Sequence, residues 1–148
     1  MSRLTAKRGL TVALDQRRRA SAQAERELQD ALAMAAQAEH MEQQARAALA
    51  RESAVATSLA SSDHEVEAFA AWLPRGRQEV AQAAAVRDCA EGRVTLARAA
   101  LMAARRSEEA LETLITAQNE LHAARAARRE QSERDDAAGR AGADKPRP

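Results

Sequence analysis

Residues 21 to 49 read SAQAERELQDALAMAAQAEHMEQQARAAL, and the larger aliphatics and alanines in this stretch fall on a seven-residue grid. Leu28, Ala35 and Leu49 share one phase, which Leu14 and Ala56 continue; Ala24, Ala31, Ala38 and Ala45 share the companion phase with Leu10 and Leu59. Two apolar lines separated by three and four residues are the seam of a coiled coil. Most of this seam is alanine, which buries little area, so a helix carrying it needs a partner along its length. Arg17, Ser21, Glu42 and Glu52 also fall on the grid and interrupt it.

The second half of the chain repeats the pattern with bulkier residues. Val66, Leu73, Val80, Val94, Leu101 and Ile115 are spaced by multiples of seven, and Phe69, Ala83, Ala90, Ala97, Ala104 and Leu111 fill the other line. Bulky residues on one arm suit small residues on the other. The spacing therefore predicts an all-α fold, a long antiparallel two-helix coiled-coil hairpin, with each arm on the order of 80–110 Å at ~1.5 Å per residue.

Two places compete for the turn. Pro74-Arg75-Gly76 breaks a helix on propensity, because proline removes a hydrogen bond and clashes with the preceding turn. The stretch from Thr57 to Asp63 instead offers three serines and a capping box, Ser62 with Glu65, that starts a new helix. Seam phase does not decide, since Leu59, Val66, Leu73 and Val80 stay in register across both sites. The capping box favours the turn at about 58–62, with helix one at about 4–57, helix two at about 63–138 and Pro74 as a kink within it. Gly139 and Gly142 then suit a helix stop, leaving 139–148 as a disordered tail after a single domain over 1–138.

Composition agrees with a long-helix protein. Of 148 residues 45% are hydrophobic and 30% charged, but only 1% are aromatic, with one Phe, one Trp and no Tyr. Such a chain lacks the side chains for an ordinary globular core. The 23 Lys and Arg, all but two of them arginine, are balanced by 22 Asp and Glu to a net charge of +1. Acid and base alternate, as in Glu25-Arg26-Glu27 and Glu133-Arg134-Asp135, so the charges read as a solvated face rather than the basic stripe of a nucleic-acid binder. The single Cys89 forms no internal disulfide and fits a reducing compartment. The apolar run from Leu10 to Leu14 is too short for a signal-peptide core, and no stretch approaches the ~20 apolar residues of a membrane span. A cytoplasmic protein without direct membrane insertion is expected.

Motifs for chemistry are sparse. His64-Glu65-Val66-Glu67-Ala68 has Ala68 where a zinc-protease motif needs its second histidine, so two ligands do not share a helix face. His40 has no metal-ligand company, and His122 falls on the seam grid as a packed or partly solvated residue. Cys89 lies one position off the seam and reads as a thiol at a buried edge, without a basic group spaced to activate it. No glycine-rich phosphate loop occurs. No catalytic, cofactor or metal site is expected, and a non-enzymatic role follows.

The one concentration of unusual residues is Phe69-Ala70-Ala71-Trp72-Leu73-Pro74, which holds every aromatic in the chain. Phe69, Leu73, Gly76 and Val80 share a face by their three-four spacing, with Trp72 beside them. The plain reading is that this face closes the hairpin near its turn. The functional reading is a docking patch, because one alanine-rich helix does not cover such anchors. A second candidate is the C-terminal arm with Arg125, Arg128 and Arg129 followed by Glu130, Gln131, Asp135 and Asp136, where Glu130 and Arg134 also form an ordinary four-residue helix pair.

The chain resembles the FliJ/YscO family of type III export apparatus proteins, small helical hairpins of about this length. The resemblance lies in Leu10, Leu14, Asp15 and Arg17-Arg18-Arg19 leading into Ala24-Glu25-Arg26-Glu27-Leu28, in Phe69, Leu73 and Gly76-Arg77-Gln78-Glu79, and in Arg129-Glu130-Gln131, Asp135, Asp136 and Ala138. It implies a central stalk that links a hexameric export ATPase to the cytoplasmic domain of the membrane export gate and, in flagellar members, escorts export chaperones. It implies gate contacts at Phe69, Trp72, Leu73, Gly76 and Val80, and ATPase-ring contacts at Leu10, Leu14, Arg17, Glu130, Gln131, Asp135 and Asp136. It also implies peripheral association with the inner-membrane export apparatus, and it places Phe69 and Leu73 early in helix two. Pro74 departs from the family's uninterrupted helix. The alternative from another class is a homo-oligomeric coiled-coil scaffold in which chains pair along the same seam; solution mass separates the two, since the stalk is a monomeric hairpin and the scaffold an obligate dimer or larger.

Overall fold

In a computed structural model the described residues are 3–143, and they form two helices, α1 over Arg3–Ala56 and α2 over Asp63–Ala143, packed as an antiparallel hairpin. Neither helix has the large aromatic or aliphatic face that closes a globular core. What they have is the seven-residue seam. Along α1, Ala24, Ala31 and Ala38 are buried with Leu28, Ala35, Ala45 and Leu49 half-buried between and beyond them; along α2, Gly76, Ala90, Val94 and Leu101 are buried with Val80, Ala83, Ala97 and Ala104 half-buried. Each helix thus contributes one line of small residues, and the larger ones, Leu28 and Leu49 of α1 and Val80, Val94 and Leu101 of α2, fall on the other.

The turn lies in the serine-rich stretch. As α1 ends, Thr57 donates its N–H (3.0 Å) and its hydroxyl (2.8 Å) to the Ser53 carbonyl, and the Ser58 N–H (3.3 Å) and Ser61 hydroxyl both bond to the Val55 carbonyl. These are the last-turn carbonyls that a helix leaves without partners. Then Ser62 and Glu65 close a reciprocal capping box: the Ser62 N–H donates to Glu65 Oε2 at 2.7 Å and the Glu65 N–H to Ser62 Oγ at 3.3 Å. Asp63 and Glu65 place negative charge at the positive end of α2. Pro74 lies inside α2 on an exposed position, where α2 runs on without interruption.

The chain divides into two units, residues 1–18 with 106–148, and residues 19–105. The second holds the turn and all the buried positions among the described residues. In the first, Leu10, Ala13 and Leu14 of α1 and Leu111 and Ile115 of α2 are half-buried, and from Thr116 through Gly142 every α2 side chain is exposed.

Several expectations change here. Leu59, placed on the seam by spacing, is 109% exposed in the turn. Val66 is also about half exposed, at 46%, because α1 has already ended at Ala56 and leaves it no facing turn of helix. Ser21 and Glu42, read as faults in the seam, are buried on it, while Arg17 and Glu52 are exposed. Cys89 is exposed rather than at a buried edge, and His122 is exposed. The expected stop at Gly139 is absent, since α2 continues through Gly139 and Gly142 to Ala143; no φ is positive at any described glycine, so neither acts as a left-handed cap. The remainder of the expected tail, 144–148, lies outside the described residues.

Candidate functional site

A two-helix pair has a seam and two flanks, and here the flanks differ. One is charged. In the unit of residues 19–105, Arg105 Nη2 reaches Glu25 Oε1 across the helices at 3.5 Å. In the other unit, Arg18 donates to Glu112 at 2.8 Å and lies 3.7 Å from Glu108. The Arg18 guanidinium is held above its ordinary range, first by the hydrogen bond to Glu112 and then by the charges of Glu112, Glu108 and Asp15. These exposed pairs contribute little stability singly, but they define which residues of α1 face which of α2.

On the seam itself, closer to the turn than the Glu25–Arg105 pair, sits Glu42. Its side chain is only 4% exposed, and both carboxylate oxygens are engaged: Oε1 accepts from Arg46 Nη2 at 2.6 Å, one turn along α1, and Oε2 meets Arg87 Nη1 of α2 at 2.7 Å. Arg87 is held above its ordinary range by its hydrogen bond to Asp88 and then by the charge of Glu42. Arg87 occupies the seam line between Val80 and Val94, where spacing asks for an aliphatic. The acid fault of one helix is therefore answered by the base fault of the other. A buried ion pair of this kind is weak evidence for stability, and its best-attested use is to fix register.

The opposite flank is apolar and open. Met34 and Met41 of α1, 52% and 51% exposed, and Val86 of α2, 60% exposed, border a groove of about 690 Å³ floored by Ala38, Ala45 and Ala83. Gln37, Gln82 and Glu79 supply its polar edge. Alanine floors make the groove, because they leave room between the helices that larger neighbours on either side do not fill. Met34 and Met41 stand seven residues apart, as do Trp72, Glu79, Val86 and Arg93, so one line on each helix forms this flank.

The aromatic patch belongs to the same flank. Phe69 and Trp72 are half-buried, with ring centroids 6.2 Å apart and planes inclined at 34°. They line a smaller groove of about 330 Å³ with Val55, Ala56, Glu52, Glu65 and Ala68. Gly76 lies buried beneath the indole: a Cβ there would overlap the ring carbons of Trp72, so the glycine is what lets the ring fold down on its own helix. Leu73 and Val80 are half-buried on the seam. Of the five residues assigned to gate contact, then, Phe69 and Trp72 carry the side chains that form a surface patch, while Leu73, Gly76 and Val80 are placed on or beneath packing.

The ATPase-contact set is divided in the same way. Leu10 and Leu14 are half-buried in their unit and Arg17 is exposed. Glu130, Gln131, Asp135 and Asp136 are exposed and bond along their own helix: Arg134 lies 3.7 Å from Glu130, Gln131 donates to Asp135 at 3.0 Å, and Arg140 donates to the Asp136 carbonyl at 3.3 Å. Among the described residues no group of three His, Cys, Asp or Glu could hold a metal ion, and no helix is long and apolar enough to cross a membrane. His40 shares a 2.9 Å hydrogen bond with Gln44 on its own helix. Compared with family models, curated proteins and solved structures, the chain finds no match.

Proposed function

We propose that the chain is a non-enzymatic stalk of a type III protein export apparatus, linking a hexameric export ATPase to the cytoplasmic domain of the membrane export gate and escorting export chaperones. What supports this reading is a hairpin whose polar chemistry is spent on helix pairing, together with an aromatic pair left half-exposed on its apolar flank. Aromatic anchors in a partly desolvated groove are the residues that dominate protein contacts. The resemblance in the Leu10–Leu28, Phe69–Glu79 and Arg129–Ala138 segments supplies the identity of the partners. In this role the helices hold position between two partners, and the protein associates peripherally with the inner-membrane apparatus.

The alternative scaffold, with chains pairing along the seam, is less favoured because α1 and α2 of one chain already occupy that seam. The test is capture of the gate's cytoplasmic domain and of the export ATPase from the same organism by the full chain. Phe69→Ala with Trp72→Ala is expected to abolish gate capture and leave ATPase capture and helicity intact. Unchanged gate affinity in that variant contradicts the docking patch, and failure of the unsubstituted chain to bind either partner contradicts the stalk.

A further inference from the structure

Among the described residues no element covers the apolar flank of residues 19–105, and its charges suggest what covers it. On α2 this flank carries Trp72, Glu79, Val86, Arg93 and Ala100 at seven-residue intervals. The series is self-complementary about Val86. A two-fold axis crossing α2 at Val86 sets that residue against its own copy, Glu79 against Arg93 on each side, and the large Trp72 against the small Ala100. Each charged residue lies ~10 Å along the helix from the axis, so both pairs form together. Glu79 is about half exposed and pairs only along its own helix, with Arg75 at 3.1 Å. Among the described residues Arg93 makes no ion pair within the chain.

We propose that two copies of this chain pair through this flank, in antiparallel orientation about Val86, to form a four-helix assembly. Glu79 of each copy meets Arg93 of the other; with Glu42 opposite Arg87 the same axis crosses α1 just beyond Met41, so Met41 and Met34, exposed at the groove's mouth, pack toward Ala48 and Val55 of the other copy. Methionine suits this position because its unbranched chain fills an irregular gap. The rim of the groove carries glutamines, Gln37 and Gln82, which add no like charge when brought face to face. Like charges facing each other would forbid the pairing; here opposite charges specify it. The strip from Met34 to Val55 is roughly 30 Å long. Two such strips bury on the order of 1,000 Å² in total, at the low end for a specific complex. The dimer is accordingly weak and reversible, with the single hairpin prevailing at low concentration. This goes beyond the stalk reading and does not rest on it.

Sedimentation equilibrium of the full chain over roughly 1–500 µM is expected to show a monomer-dimer equilibrium with Kd on the order of 10 µM. Glu79→Arg and Arg93→Glu, each alone, are expected to weaken it at least tenfold, and the two together in one chain to restore it, since the exchanged charges again face each other. In a Cys89→Ser background, Val86→Cys is expected to give a covalent dimer on mild oxidation. A chain that stays monomeric throughout leaves the groove to a foreign helix and overturns the proposal. So does a dimer indifferent to both single charge changes, or one that the double exchange fails to restore. Circular dichroism of each variant, expected to match the unsubstituted chain, separates loss of pairing from loss of the hairpin.

Discussion

Glu42 and Arg87 form one ion pair, yet replacing them by leucine one at a time is expected to move stability in opposite directions. Glu42 is nearly enclosed, with its side chain 4% exposed, whereas the Arg87 side chain is 32% exposed and keeps Asp88 at 2.8 Å and Glu91 at 3.8 Å as further partners. In Glu42→Leu the desolvated carboxylate disappears, an aliphatic enters a seam position, and Arg87 turns to water and its remaining acids. Buried ion pairs replaced by apolar side chains are commonly neutral to stabilising, so the gain is expected to be about 1 kcal/mol. In Arg87→Leu the carboxylate remains buried with Arg46 alone, and the hairpin is expected to lose stability, because an enclosed charge has lost its partner across the helices. Urea unfolding followed at 222 nm reads both. With a slope of ~2 kcal/mol per molar, Glu42→Leu raises the midpoint by about 0.5 M, and Arg87→Leu lowers it. Equal losses in both variants would show that attraction outweighs desolvation, and no change in either would show that Glu42 is solvated; each result refutes the reasoning.

Two glycines in the same helix are expected to respond differently to alanine. At Gly92 nothing lies within 4 Å of an added Cβ, so Gly92→Ala raises stability by about 1 kcal/mol through helix propensity alone. At Gly76 the added methyl displaces the Trp72 ring, and since Trp72 is the only tryptophan, its emission shifts to the red; an unshifted spectrum contradicts the packing described. Ser21→Ala is expected to stabilise by about 1 kcal/mol, because a hydroxyl buried without a partner costs more than a methyl in its place. Ser21 Oγ is buried without a hydrogen bond, and a lower urea midpoint for the variant would indicate a partner at that site.

The hairpin was legible because its evidence is local and periodic. Ala24, Ala31 and Ala38 recur at seven, and Ser62 with Glu65 marks a helix start whatever lies elsewhere in the chain. The same periodicity misled at Leu59 and Val66, which keep phase across the turn although α1 no longer faces them. Glu42 and Arg87 were missed for a related reason. Each breaks the apolar rule on its own helix, and only their juxtaposition across the pair turns two faults into one contact. A search for opposite charges on the two seam lines would have found them. The apolar flank repeated the seam's spacing one position over, at Met34, Met41 and Val86, but spacing does not tell a packed line from an open one. Gly76 was placed on the aromatic face correctly by periodicity, while its burial beneath Trp72 depends on a rotamer that sequence does not specify.

The central claim is that α1 and α2 of a single chain lie side by side with Glu42 against Arg87. Spin labels at Glu25→Cys and Arg105→Cys in a Cys89→Ser background, diluted with unlabelled protein so that only distances within one chain register, test it most directly. Glu25 and Arg105 form a 3.5 Å ion pair across the helices. With packed helix axes roughly 10 Å apart, the pulsed dipolar measurement should give one narrow distribution centred within about 20 Å. A broad distribution, or a peak several times longer, contradicts the account.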